Sequence, residues 1–242
     1  MTTYRERLYG TYLSTHLETY RPATRTGLER DRQLFRALYR RFLPPSRTAE
    51  ILEVGCGTGS FLSFLRGEGY ERVHGIDLGI EQIAAARMLG IDGVEVADGV
   101  TYLPAHPEAY DLIVALDVLE HFTKDEVFTF LDGVHRALRP GGRVLLRTPN
   151  ADSPYHSWIR YADFTHEVSF SPSSIRQVLR AAGFVSIEVM PLEPHVHGVA
   201  SAGRWVLWQA LKQLIRLYLL VEQGVPGSGV FTANLCAVGQ KG

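Results

Sequence analysis

Apolar positions change their period along the chain. Leu34, Phe35, Leu38, Tyr39 and Phe42 recur at helical spacing, and Leu43-Pro44-Pro45 stops that helix. Residues 1–47 therefore read as a helical cap with one packed face. From residue 50 on, short apolar runs alternate with amphipathic stretches. Strands are predicted at 50–54, 72–76, 94–97, 110–116, 143–147, 184–190 and 231–238, and helices at 60–66, 80–89, 124–138 and 172–182. Residues 110–116 are nearly all apolar, as in a strand covered on both faces. A further helical stretch, 201–223, stands between the last two strands. The alternation predicts a doubly wound α/β domain with a seven-stranded, mostly parallel sheet. It covers 48–242, behind the N-terminal helices and with the 201–223 helical insertion before its last strand.

Composition narrows the class. The 242 residues are 45% hydrophobic and 21% charged, which excludes disordered, collagen-like and disulfide-scaffold chains. The balance 25 − 26 = −1 gives no global field for nucleic acid or membranes. Residues 21–47 hold eight Arg against Glu29 and Asp31, which suits a solvated helix face or a patch for an anionic substrate. Cys56 and Cys236 make no framework and are expected to be reduced. The start, MTTYRERLYG, lacks the apolar stretch of a secretory signal, so a cytoplasmic location is expected.

Candidate chemistry gathers at the carboxyl ends of the predicted strands, where such sheets bind ligands. Gly55-Cys56-Gly57-Thr58-Gly59 joins the first strand to a helix, a turn that brings backbone N–H groups close to a ligand. Its third glycine comes one residue too early for the dinucleotide fingerprint, which argues against a nicotinamide enzyme. Glu53 lies inside the first strand end, Asp77 ends the second, Asp98 follows the third and Leu116-Asp117 ends the fourth. A carboxylate at Asp77 suits a ribose diol, and one at Asp98 an adenine amino group. Two plainer roles stay open: Gly59 for close helix–strand packing, and Asp77 as a helix cap.

Over residues 50–150 the segments EILEVGCGTG, GID, VADG, YDLIVALDVLEH and LRPGGRVLLRTPN resemble the class I S-adenosylmethionine-dependent methyltransferases. The resemblance implies a Rossmann-like fold, S-adenosyl-L-methionine as methyl donor and S-adenosyl-L-homocysteine as product. It implies that Gly55, Cys56, Gly57 and Gly59, with Glu53, line the methionine and ribose side. Asp77 would hold the ribose hydroxyls and Leu78 would lie beside adenine. Asp98 and Gly99 would flank adenine, and Leu116, Asp117 and His121 would close over the sulfonium.

Four segments bear on the acceptor. Thr148-Pro149-Asn150-Ala151 differs from the NPPY-type tetrapeptide of exocyclic-amine methyltransferases, so a nucleic-acid acceptor is not expected. His121 is a candidate base, with an unperturbed pKa of about 6.5, or a pocket-shaping group. His166 is a second candidate base. Its segment, 161–167, carries Asp163 and Glu167, which suit sugar hydroxyls or, with Asp117, a divalent ion, or form only a capped lid loop; overall no metal is expected. The preceding aromatic loop holds Tyr155, His156 and Trp158, and the faces of Tyr155 and Trp158 suit sugar rings. In 204–222, Leu207, Leu211, Leu214 and Tyr218 form an apolar ridge beside Trp208, Ile215 and Leu219, with Arg204, Lys212 and Arg216 opposite. Charges at mid-segment exclude a membrane span. Packing on the domain, homodimerisation and peripheral membrane contact all fit.

The whole chain, with THEVSFSP and FTANLCAVGQ, resembles bacterial methyltransferases of polysaccharide and cell-surface glycan biosynthesis. YGTYLSTH fits that group and makes Tyr4, Tyr12 and His16 candidates to close over the cofactor. DVLEH and LRPGG also resemble ubiquinone-pathway O-methyltransferases. The expectation is an O-methyltransferase acting on a sugar hydroxyl of a glycan, glycolipid or nucleotide-linked sugar. A quinone or phenol methyltransferase and a non-catalytic cofactor-binding assembly partner are the alternatives.

Overall fold

The computed structural model describes residues 3–16 and 24–242. The remainder of the expected N-terminal cap, 17–23, and the side chain of His16 lie outside the described residues. Helices α1 (Tyr4–Tyr9) and α2 (Tyr12–His16) are short. Helix α3 (Arg25–Tyr39) starts at Thr24, whose hydroxyl accepts from the Gly27 N–H at 3.1 Å. Then follow β1 (Ile51–Val54), α4 (Ser60–Gly67), β2 (Val73–Asp77), α5 (Ile80–Met88), β3 (Val94–Val96), α6 (Gly99–Tyr102) and β4 (Tyr110–Leu116). The chain continues through α7 (Lys124–Ala137), β5 (Leu138–Pro149), α8 (His156–Ala162), α9 (Pro172–Ala181), β6 (Phe184–Pro191), α10 (Val199–Gln223) and β7 (Asn234–Lys241).

The seven strands form one sheet in the order β3-β2-β1-β4-β5-β7-β6, parallel except that β7 runs antiparallel to both neighbours. Its core has two layers because successive strand residues face opposite sides. Leu52, Val54, Ile113, Ala115 and Leu146 meet Phe130 and Val134 of α7 and Leu179 of α9. Ile51, Leu112, Val114 and Leu145 meet Phe35 and Tyr39 of α3 and Phe61 and Phe64 of α4. So α3 completes one side of the core, and its Arg36 pairs with Glu68 beyond the end of α4. Strand order reverses between β1 and β4, and their carboxyl ends open the crevice where ligands bind in such sheets.

Several boundaries differ from the sequence expectation, each for a local reason. Strand β5 starts at Leu138, which pairs with Tyr110, and a register shift absorbs the Arg-Pro-Gly-Gly turn. Strand β7 starts three residues late. The side chain of Asn150 donates to the carbonyls of Val230 and Thr232 at 2.9 Å each, which removes them from a strand ladder. The aromatic loop is partly a helix, α8.

Helix α10 departs most. The ridge of Leu207, Leu211, Leu214 and Tyr218 is between 52% and 66% exposed, so it does not pack on the domain. The packed side is the row Trp208, Lys212, Ile215 and Leu219. Lys212, expected on a solvated basic side, pairs instead with Glu193, which also accepts from Gln209 at 3.1 Å. The ion pair lets a lysine take an inward position while its stem covers apolar surface. Gly224 ends the helix at φ +76°, and its N–H donates to the Leu220 carbonyl at 3.0 Å. No described helix is long and apolar enough to cross a membrane.

Candidate active site

The glycine turn divides its work. Gly55, Gly57 and Gly59 have φ of +71°, +52° and +81°, a region that L side chains rarely adopt. A Cβ at Gly55 would meet Val118 at 2.5 Å, and one at Gly59 would meet Ile91 at 2.8 Å. Both positions are closed by packing, the plainer of the two roles for Gly59. A Cβ at Gly57 would meet nothing within 4 Å, so this is where the turn leaves room for a ligand. Its N–H groups are partly engaged already. Those of Gly55 and Cys56 donate to the Ile76 carbonyl at 2.8 and 3.0 Å, and that of Gly57 to Asp77 at 2.8 Å. The Cys56 side chain turns inward, buried with Leu62 and Ile83, and burial pushes its thiol pKa up.

Asp77 holds the turn from below. One carboxylate oxygen accepts from Gly57 and the other from the Gly79 N–H at 2.7 Å. It is not a cap of α5, whose N-cap is Gly79. Burial raises its pKa. Behind it, Glu53 is buried and its Oε2 has no hydrogen-bond partner. Burial, then the nearby Asp77, pushes the Glu53 pKa well above the carboxylate range. The unfolded chain ionises Glu53 above about pH 4.5 while the folded chain keeps its proton, so stability falls as pH rises through that window. Glu53→Gln is therefore expected to flatten the decline in unfolding midpoint from about pH 5 to 8, measured by urea titration, and to weaken cofactor binding.

The remaining predicted cofactor residues sort in the same way. Leu78 is half-exposed, an apolar surface available to adenine. Asp98 caps α6 by accepting from the Val100 N–H at 2.9 Å. A Cβ at Gly99 would meet Val54 at 2.7 Å, so that glycine serves the packing of α6 on β1. Leu116 is buried. Asp117 has φ +58° and is held by Arg147, whose Nε donates to Oδ1 at 2.8 Å and whose Nη2 donates to Oδ2. Sequence reasoning missed Arg147; the signal was a cation directly after the apolar run Val144-Leu145-Leu146, at the carboxyl end of the strand. An open Gly57, an apolar Leu78, Asp77 at the turn and a partnerless buried carboxyl at Glu53 fit S-adenosylmethionine, which carries a ribose diol, an adenine ring and a cationic amino group.

On the other side of the β4 end, a single turn, Leu119–His121, brings His121 to His166, with ring centroids 5.0 Å apart. The Thr165 hydroxyl donates to Asp163 at 2.6 Å and lies 2.9 Å from His121 Nδ1. Its one proton being given to Asp163, the hydroxyl accepts from Nδ1–H, which leaves Nε2 of His121 with its lone pair. Burial lowers the pKa of both histidines, of His121 to about 4.

The N-terminal helices lie across this edge as a strap. Arg5 donates to Glu126 at 2.7 Å and to the His121 carbonyl at 2.9 Å, and this contact holds the Glu126 pKa down at about 2. Tyr4 donates to Glu167, Tyr12 to Asp163, and the Ser14 N–H to Glu81 on α5 at 3.1 Å. Asp163 and Glu167, expected to contact substrate, thus anchor the strap. Tyr4 and Tyr12 thus lie on the 163–167 side of this edge. Tyr155 and Trp158 are 75% and 77% exposed at the start of α8.

Comparison with known proteins agrees with this geometry. The sequence profile of a methyltransferase-domain family matches residues 28–189. O-methyltransferase cnsE of Penicillium expansum is 30% identical over 166 residues, 64% of this chain and 58% of that protein. A ubiquinone biosynthesis O-methyltransferase of Sodalis glossinidius is 33% identical over 105 residues, 41% of each chain. A tRNA U34 carboxymethyltransferase of Methylococcus capsulatus is 28% identical over 184 residues, 72% of this chain and 56% of that one. The chain thus spans about half the length of the curated relatives it matches. Among solved structures, a SAM-dependent methyltransferase from Archaeoglobus fulgidus superposes with TM-score 0.65 at 21% identity, over 87% of this chain and 94% of that one. Phosphoethanolamine N-methyltransferase 2 of Haemonchus contortus, in complex with S-adenosyl-L-methionine, gives TM-score 0.64 at 19% identity, over 100% and 60%. With two thirds of its length matched by that profile, and with this sheet, the chain belongs to the methyltransferase-domain family and has the fold of S-adenosylmethionine-dependent methyltransferases.

Proposed function

We propose that the chain transfers the methyl group of S-adenosyl-L-methionine to a sugar hydroxyl of a glycan, glycolipid or nucleotide-linked sugar. The observation that carries the reading is the His121–His166 pair at the end of β4, across from the glycine turn and beneath the polar strap. In the reaction the acceptor oxygen attacks the methyl carbon in line with its bond to sulfur. The O–CH3 bond forms, the S–CH3 bond breaks, and the sulfonium becomes the neutral thioether of S-adenosyl-L-homocysteine. The donor is already activated, so the protein chiefly positions the reactants and provides for loss of the hydroxyl proton beside the two histidines. Two relatives named as O-methyltransferases support oxygen as the acceptor. The exposed apolar side of α10 favours a lipid-carried sugar among the three acceptors.

A second reading, methylation of a phenolic hydroxyl, is favoured by the ubiquinone-pathway relative. One experiment separates them. The purified chain is incubated with methyl-labelled cofactor and, in parallel, with glycolipid vesicles, nucleotide-linked sugars, quinone-precursor phenols and tRNA. Label is expected in a sugar methyl ether, most strongly in the vesicle sample. Label confined to a phenol establishes the second reading. Cofactor binding with no labelled acceptor in any sample leaves a non-catalytic assembly partner.

A further inference from the structure

The histidine pair has a third neighbour that methyl transfer does not explain. Glu120 is 1% exposed, in the turn that follows β4, and its Oε2 is buried without a hydrogen-bond partner. His166 Nδ1 is also buried without a partner. His121 brings Nε2, since its Nδ1–H is given to Thr165. One potential ligand atom from each of the three residues lies within 4.8 Å of the others. Atoms able to ligate thus converge, two of them without a hydrogen-bond partner. Leaving a buried polar atom unpaired costs about 1–3 kcal/mol, so Glu120 Oε2 and His166 Nδ1, two such atoms beside His121, call for a shared partner.

We propose that Glu120, His121 and His166 bind one divalent transition-metal ion, of the zinc, manganese or iron(II) type. Two imidazoles and one carboxylate are a donor set for those ions, whereas calcium and magnesium prefer oxygen alone. Metal–ligand distances of about 2.0–2.2 Å require the three groups to draw together by roughly an ångström. Side-chain rotation provides this, because the backbone around them is already fixed. The Glu120 carbonyl accepts from the N–H groups of Glu167 and Val168, at 2.7 and 3.2 Å, which ties the two ligand-bearing segments together. The outer shell is also in place. Behind His121 stands Thr165, then Asp163, an arrangement that orients a ligating imidazole and fixes its tautomer. The other local carboxylates are engaged elsewhere: Asp117 by Arg147, Asp163 by Thr165 and Tyr12, Glu167 by Tyr4. The ion therefore belongs to Glu120 and the histidines, not to the acidic groups of the 161–167 segment.

Three protein ligands leave a position open, as in catalytic zinc sites. On the methyl-transfer reading, and only on it, that position takes the acceptor hydroxyl. A metal held there would lower the pKa of the acceptor O–H and so ease passage of its proton to solvent water as the oxygen bonds to the methyl carbon.

The test uses the full chain, dialysed against a chelator. Calorimetric titration with zinc is expected to show one site per chain, with magnesium as the control that does not compete. Cobalt(II) is expected to give the visible absorption of a low-coordinate nitrogen–oxygen site. His166→Ala and Glu120→Gln, each checked for an unchanged melting profile, are expected to weaken zinc binding at least tenfold. The surface pair His195 and His197, with rings 5.9 Å apart, is the competing location. Zinc binding that survives His166→Ala but disappears in His195→Ala overturns the proposal. So does a folded wild-type chain that takes up neither zinc nor cobalt in excess. Metal binding as described, with no methyl transfer to any acceptor, keeps the site and removes the methyl-transfer reading. Turnover that is full without metal, and unchanged on adding it, overturns the metal's part in methyl transfer, while the site itself stands or falls by the zinc titrations.

Discussion

Asp77→Ala is expected to lower affinity for S-adenosyl-L-methionine by about 10²–10⁴-fold. Each carboxylate oxygen of Asp77 already accepts one backbone N–H, from Gly57 or Gly79, and keeps a lone pair for a ribose hydroxyl. A hydrogen bond to a charged group contributes about 1.5–3 kcal/mol, and each ~1.4 kcal/mol is tenfold in affinity. Losing two such bonds, together with the support of the turn at Gly57, gives the stated range. Asp77→Asn keeps one acceptor oxygen and should fall between. Calorimetric titration with the donor and with S-adenosyl-L-homocysteine measures both variants, with a thermal melt to show that the sheet persists. If Asp77→Ala binds as tightly as the wild type, the crevice belongs to another ligand.

Arg147→Ala is expected to cost about 1–3 kcal/mol of stability, between the values for an exposed ion pair and for a fully buried one broken from one side. The Arg147 and Asp117 side chains are 21% and 35% exposed, and two parallel hydrogen bonds join them. Asp117 has left-handed backbone geometry, so an unpaired carboxylate there adds to a residue already in an unfavourable conformation. Arg147 also reaches the Tyr39 hydroxyl at 3.5 Å, which connects the pair to α3. Adding Asp117→Asn to Arg147→Ala should recover much of the loss, since the stranded charge is gone. Urea unfolding midpoints measure both. A loss below about 1 kcal/mol would make this an ordinary surface pair.

The sheet could be read from the sequence because its signals are local. Residues 110–116 are apolar at every second position and nearly between, which only a strand covered on both faces needs. The turn at 55–59 and the carboxylate at 77 stand one strand apart, so their meeting follows from the fold. What could not be read were partners far away in the chain. Asp163 and Glu167 looked like free polar groups, but the tyrosines that engage them lie 151 and 163 residues earlier. Tyr155 and Trp158 sit at the start of a helix whose exposure leaves no buried stripe to reveal its period. Helix α10 is apolar nearly all round, so its periodicity could not say which side meets the domain. Glu193 decides that by drawing Lys212 inward.

The position of α10 in the connectivity has a consequence for how this domain is inherited. Strands β6 and β7 are antiparallel neighbours, and Pro191 and Leu235 are register partners at the ends where the helix departs and returns. Two strands so placed need only a tight hairpin turn to join them. The helix is thus a graft at a joint, ahead of a return segment that Asn150 holds at Val230 and Thr232, and exchanging α10 rethreads no other connection. The crevice at β1 and β4 sits on the far side of β5, so a lineage can replace the helix, and whatever it docks on, without disturbing the cofactor edge.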